Sequence, residues 1–247
     1  MRLVIDIGNT RIKPALESAG RLTPGTAIPW RDRSLEEVIS AVCARSPRPT
    51  AVLVSNVAGP ALAEALSARV AQQWQLAVHF MQVQSQCAGM QTTYDDPARL
   101  GVDRWLAALA GFHLVGGAVC VFDAGTALTV DIVTAEGTHR GGLIAPGLAL
   151  MARSLTQGTA QLSLDRPTAV DRFATNTRDG ISLGCRDAVA GLLARVAERC
   201  VSDYGKLPQF IVTGGEAEDL LSLSPFPLMH VPDLVHQGIV IAADAAA

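Results

Sequence analysis

Aromatic side chains are scarce in this sequence, 4% of 247 residues, and they nowhere interleave with lysine or arginine. That removes the pattern of stacking rings and basic groups expected of a nucleic-acid binder. A formal net charge of -3 likewise removes any global attraction to a polyanion or an anionic membrane. Cysteines are few, odd in number and scattered (Cys43, Cys87, Cys120, Cys185, Cys200), with no C-x-x-C spacing. Disulfides and structural zinc are not expected, and the five thiols read as core fillers. No apolar run reaches the roughly 18 residues that span a bilayer, and no signal-type segment precedes the first strand, so the chain is expected to be soluble and cytoplasmic. His79, His113, His139, His230 and His236 show no ligand spacing and are given no role. Gly-x-Ser-x-Gly, Walker A and Rossmann glycine patterns are missing, so hydrolase, P-loop and dinucleotide readings have no support.

What is present is a design used twice. Leu3-Val4-Ile5-Asp6-Ile7-Gly8-Asn9-Thr10-Arg11-Ile12-Lys13 runs from an apolar strand through Asp and Gly to a polar residue and a second β-prone run. Val121-Phe122-Asp123-Ala124-Gly125-Thr126-Ala127-Leu128-Thr129-Val130-Asp131 repeats it. Each copy reads as a hairpin. Glycine at the turn lets backbone N–H groups approach a ligand, the Asp can face a metal ion or its water, and Asn or Thr can reach a phosphate oxygen. Two ordinary tight turns would explain either copy alone. The pair points to two related half-molecules facing one nucleotide phosphate tail.

Hydrophobic content of 49% against 17% charged residues describes a buried globular core. After the first hairpin, residues 20–33 read as loop or weak strand, and Pro14 makes the second strand short or places it at an edge. Ser34-Leu35-Glu36-Glu37 resembles a capping box opening a helix to Arg45. Residues 51–57 fit a buried parallel strand, 60–74 a helix and 77–83 a strand, an order that argues an α/β layer. Residues 91–101 read as a loop, then Arg104 to Val115 as an Ala/Leu-rich helix. Strands are expected at 118–123, 127–134 and near 141–144, helices at 148–156 and 178–201, a strand at 210–215, a short helix from Glu216 and a terminal helix after Pro232. No low-complexity linker separates the halves, whose boundary is set near Gly116-Gly117, giving residues 1–116 and 117–247.

Gly101-Val102-Asp103-Arg104 admits two readings. An Asp and an Arg at a helix start can be a cap with a surface ion pair. Alternatively, phosphoryl transfer to an alcohol uses a carboxylate to take the hydroxyl proton and an Arg to hold anionic charge. Thr213-Gly214-Gly215 and Gly141-Gly142 would let a flat base or ribose lie against the backbone, or merely end strands. Arg11 and Lys13 would contact phosphate, or be solvated on a hairpin edge.

Taken in order, Asp6-x-Gly8-Asn9-Thr10, Gly101-x-Asp103-Arg104, Asp123-x-Gly125-Thr126-Ala127 and Thr213-Gly214-Gly215 resemble the motifs of the type III pantothenate kinases, members of the acetate and sugar kinase/Hsp70/actin superfamily. Ser55-Asn56-Val57-Ala58-Gly59 and Asn176-Thr177 also stand where that resemblance expects them. The resemblance implies an α/β fold of two related actin/hexokinase-like (ribonuclease H-like) halves with an interdomain ATP cleft. It implies phosphorylation of pantothenate to 4′-phosphopantothenate, the first step of coenzyme A biosynthesis. Asp6, Ile7, Gly8, Asn9, Thr10, Arg11, Ile12 and Lys13, with Thr126, would bind ATP, Asp6 facing Mg²⁺. Asp103 would be the general base. Tyr94, Gly101, Val102, Asp103, Arg104 and Thr177 would bind pantothenate, Thr177 supplied either by its own subunit or across a homodimer interface. Asp123 would help hold a monovalent cation, potassium or ammonium. The homodimer suits the apolar helix starting at Arg104, while nucleic acid and membrane are not expected partners. Pro14 departs from the family pattern, where a large residue is expected. The alternatives are a kinase of another small hydroxylated substrate and a kinase-fold regulatory protein without this activity. Intact Asp6, Asp103, Arg104 and Asp123 argue against decay of the site.

Overall fold

The run Arg2–Ile7 forms a strand (β1) that is buried from Leu3 onward, as expected of an apolar strand covered on both faces. The structure is a computed structural model that describes residues 1–44, 46–156 and 173–246. After β1 the chain forms β2 (Arg11–Ser18), β3 (Arg21–Pro24), β4 (Ile28–Pro29), α1 (Leu35–Ala44), β5 (Ala51–Asn56), α2 (Pro60–Trp74) and β6 (Val78–Phe80). Then come β7 (Gln86–Cys87), β8 (Met90–Thr92), α3 (Val102–Val115), β9 (Val119–Ala124), β10 (Ala127–Val133) and β11 (Thr138–Pro146). The chain ends with α4 (Leu148–Thr156), α5 (Thr177–Tyr204), β12 (Gln209–Thr213), α6 (Ala217–Leu223), β13 (Met229–His230) and α7 (Leu234–Ala245). Arg45, the expected end of the first helix, lies outside the described residues.

The described residues fall into two compact units. One holds Met1–Ala118, Ile132–Gly141 and the C-terminal stretch from Asp233; the other holds Val119–Asp131 and Gly142–Pro232. One sheet has the strand order β3-β2-β1-β5-β6, with β4 also pairing β2; the other runs β13-β12-β9-β10-β11-β8-β7, and its β11-β10-β9-β12-β13 portion repeats the first. Strand β1 runs antiparallel to β2 and parallel to β5, with Asp6 opposite Ser55. Strand β9 runs parallel to β12, with Asp123 opposite Thr213. The repeat seen in two short sequence stretches is thus a repeat of topology, with a carboxylate at the same strand end each time.

In the first unit Leu3, Ile5 and Ile7 pack with α1 and α2 through Val38, Val42, Leu62, Leu66 and Trp74. Alternation along the strand turns Val4 and Asp6 to the other face. Ser34 accepts the Glu37 N–H at 3.2 Å, the cap expected for α1. Helix α3 is buried at every residue from Arg104 to Gly111 and packs against α7. A Cβ added at Gly238 of α7 would stand 2.1 Å from the Leu106 carbonyl, so the two backbones touch there. The apolar surplus of α3 is therefore buried within its own chain. In the second unit Cys185, Val189, Leu193, Val196 and Cys200 form the buried stripe of α5, and all five cysteines of the chain are buried free thiols.

The second strand is neither short nor at an edge around Pro14, contrary to expectation: β2 runs eight residues between β1 and β3. The reason lies on its outer side. A strand residue directs its N and C=O the same way, and the Pro14 carbonyl accepts the Gly25 N–H at 2.8 Å. The missing N–H of Pro14 thus faces the gap between β3 and β4, where no ladder partner asks for it. Residues 91 and 92, read as the start of a loop, instead belong to β8, which pairs with β7. No helix among the described residues is long and apolar enough to cross a membrane.

Candidate active site

The first turn is fixed from outside. Gly8 donates its N–H to the Arg11 carbonyl at 3.0 Å, closing the loop. The three carbonyls of Gly8, Asn9 and Thr10 are taken by Trp30 Nε1 (2.9 Å), Arg31 Nε (2.7 Å) and the Trp30 backbone N–H (3.3 Å). Trp30 and Arg31 lie in a stretch whose sequence shows no period, and they were not foreseen; a Trp in a Gly/Pro-rich loop was the available signal. Asp6 is 4% exposed, and Lys13, its partner across the hairpin, reaches Oδ2 at 3.2 Å. The other oxygen, Oδ1, is buried without a hydrogen-bond partner. His236 of α7 donates from Nε2 to the Lys13 carbonyl at 2.8 Å, tying the second strand to the terminal helix. Ile7 and Ile12 face each other across the hairpin and are fully buried, so they can offer a ligand only their backbone.

At the start of α3, Gly101 is the N-cap residue and supplies no side chain. Asp103 stands in the first turn, and its Oδ1 accepts the Arg104 N–H at 2.8 Å. A Cβ on Gly101 would lie 2.8 Å from that oxygen, so glycine is what lets the carboxylate fold back over the helix start. The helix N-terminus favours its charged form. Arg104 is buried, and its Nη1 lies 3.5 Å from Tyr94 Oη. The structure thus brings Tyr94, Gly101, Val102, Asp103 and Arg104 into one neighbourhood of the first unit.

The second unit builds its turn alike. Gly125 donates to the Ala127 carbonyl at 3.0 Å, while Gly147 N–H bonds the Thr126 carbonyl at 2.9 Å and Glu216 N–H the Ala124 carbonyl at 2.8 Å. Gly214 has φ +95°, and an added Cβ would meet Ala124 O at 2.3 Å and Asp123 Oδ1 at 2.5 Å. The space left by Gly214 is filled by the Asp123 turn itself. Gly147 is equally bound to glycine, with the Gly125 carbonyl 2.0 Å from where a Cβ would stand. Glu216, read from sequence only as a helix start, accepts the backbone N–H groups of Ala149 and Leu148 at the start of α4; burial nonetheless pushes its carboxyl above the usual range. Thr177, in the second unit, is exposed in the first turn of α5, where Asn176 is the cap and accepts the Asp179 N–H at 2.9 Å.

Among the described residues no three His, Cys, Asp or Glu side chains cluster as a metal site. Any cation near Asp6 or Asp123 would share one carboxylate with water, backbone or ligand oxygens. That is how Mg²⁺ is commonly held beside phosphates.

A family model described as type III pantothenate kinase matches residues 2–199 of this chain. A type III pantothenate kinase from Nitrosococcus oceani is 34% identical over 250 residues, covering 98% of this chain and 94% of the relative. Among solved structures, a conserved putative Baf family transcriptional activator from Campylobacter jejuni superposes with a TM-score of 0.62 at 21% identity, covering 98% of this chain and 97% of that one. A ROK family glucokinase from Streptomyces griseus, solved with glucose and AMPPNP, gives a TM-score of 0.50 at 16% identity and 98% coverage of both chains. At such identities the two structures speak for the fold alone, an α/β fold with two related sheets.

Proposed function

The chain belongs to the type III pantothenate kinase family, and from that premise we propose that it transfers the γ-phosphoryl group of ATP to the primary hydroxyl of pantothenate, giving 4′-phosphopantothenate and ADP. This is the first step of coenzyme A biosynthesis. The observation that carries the reading is the start of α3, where Asp103 and the buried Arg104 stand beside Tyr94.

In this reading Asp103 orients the pantothenate hydroxyl and takes its proton. Its Oδ1 accepts the Arg104 N–H, which holds the carboxylate at the start of α3. Arg104 and Tyr94, with Gly101 and Val102, hold the anionic end of the substrate, and Thr177 belongs to the same pocket by way of a partner subunit in a homodimer. Residues Asp6 to Lys13 cradle ATP phosphates through the backbone of the Gly8 turn, and Thr126 is the ATP contact of the second unit. The buried, unpartnered Oδ1 of Asp6 fits a magnesium-bound water. Mg²⁺ when bound offsets phosphate charge. Asp123, lying against the side-chain-free backbone of Gly214, fits an oxygen-donor site for potassium or ammonium. A cytoplasmic location goes with this biosynthetic role.

The test is ADP release with pantothenate, Mg²⁺-ATP and potassium, against a control lacking pantothenate. Release that ignores pantothenate but responds to another alcohol would move the assignment to a different small-molecule kinase. A folded protein inactive on every alcohol tried would favour the regulatory alternative.

A further inference from the structure

His139 is a histidine with no exposed surface and no part in the proposed transfer of phosphate. It lies at the start of β11, where the parallel pairing with β8 sets it opposite Thr92. Its Nδ1 stands 3.4 Å from the Thr92 hydroxyl, and its carbonyl accepts both the backbone N–H (3.1 Å) and the hydroxyl (3.0 Å) of Thr93. The ring so held stacks on Tyr94, with centroids 6.0 Å apart and planes inclined by 27°. The Thr92 hydroxyl also accepts the Tyr94 N–H at 3.3 Å. Gly141, at φ +86°, passes close by, and a Cβ there would stand 3.8 Å from Tyr94 Cε2. The far end of Tyr94 carries the hydroxyl that meets Arg104 Nη1. Base, ring and tip of Tyr94 are thus each set by a different neighbour, and the ring face is set by His139.

We propose that His139 is a positioning residue for the acid substrate: it fixes the Tyr94 ring, and through it the Tyr94–Arg104 pair that holds the substrate beside Asp103. A group acting this way does not touch substrate, yet its loss loosens a side chain that does. Stacked pairs of rings contribute little beyond their area, so the expected effect is moderate and selective. The inference rests on the pantothenate kinase reading.

The experiment compares wild type, His139→Ala, His139→Phe, Tyr94→Ala and the double variant His139→Ala/Tyr94→Ala by steady-state ADP release, with pantothenate and ATP varied separately. His139→Ala should raise KM for pantothenate about three- to tenfold and leave KM for ATP unchanged. His139→Phe, which keeps a ring face and loses the hydrogen bond, should restore most of the loss. On the Tyr94→Ala background, His139→Ala should add nothing. A wild-type KM for pantothenate in His139→Ala overturns the proposal. So does a parallel rise in KM for ATP, which would mark general loosening, or an undiminished effect without Tyr94. Should His139→Ala fail to fold, His139→Phe against His139→Leu carries the same comparison. Failure of the underlying reading shows separately, as wild-type protein that releases no ADP on adding pantothenate.

Discussion

In the proposed mechanism Asp103 is the base, which requires a charged carboxylate held in place. The helix start favours its charge, its own helix N–H holds Oδ1, and Gly101 leaves it room. Asp103→Asn should therefore keep the fold, seen as an unchanged thermal transition, while kcat falls roughly 100- to 10,000-fold, the usual worth of a general base. Gly214→Ala is the structural counterpart. At φ +95° and 2.3 Å from a backbone oxygen, the added methyl should cost on the order of 2–4 kcal/mol from left-handed strain and overpacking together. Denaturant unfolding checks it, and an unchanged midpoint would contradict the close approach of β12 to the Asp123 turn.

Elements in this protein are placed by backbone contacts as much as by side-chain stripes. Gly238→Ala should push α7 off α3 and lower the thermal midpoint, the opposite of the stabilisation a surface Gly→Ala change gives in a helix. Which elements exist was largely legible: apolar runs gave β1, β5, β9 and β12, the Ser34 cap gave α1, and Gly116 and Pro146 gave breaks. Partners in space were less so. The sequence of residues 28–31 carries no period, so nothing in it announces that Trp30 and Arg31 hold the Gly8 turn. Pro14 reads as an edge signal because the β3–β4 gap opposite it is a tertiary fact. The excess apolar surface of α3 reads as an interface until α7, more than a hundred residues later, is seen to cover it. Glycines were found by sequence, but the reason for Gly214 was not: the space it leaves holds its own unit's Asp123.

At the scale of the whole molecule, charge bears on stability at one end of the first sheet, where Arg2 opens β1 and Glu17 nears the end of β2. Glu17 of β2 is joined to Arg2 at 2.8 Å and accepts the Gly20 N–H at 2.8 Å, while Arg2 also pairs with Asp244 near the C-terminus. Arg2 and that N–H hold the Glu17 carboxyl below its ordinary value of 4.5. A carboxyl with a lowered folded pKa stabilises fully above its unfolded value, and that stabilisation is lost as pH falls through the folded one. Stability should thus be level above about pH 4.5 and decline below it. Glu17→Gln should cost about 1–3 kcal/mol near neutrality, the worth of hydrogen bonds to a charged group, and flatten the acid limb. Unfolding midpoints measured from pH 3 to pH 7 would check both. Exchanging potassium for sodium at matched ionic strength should lower turnover if Asp123 helps hold a monovalent cation; equal rates would remove that assignment.

On the proposed mechanism, the enzyme phosphorylates pantothenate with Asp103 as base. The most direct measurement is pantothenate-dependent ADP release, run side by side on wild type and Asp103→Asn. Wild type should release ADP and Asp103→Asn should lose nearly all of it, with both proteins folded. Equal release from the two would remove Asp103 from the mechanism, and no pantothenate dependence in wild type would contradict the assignment itself.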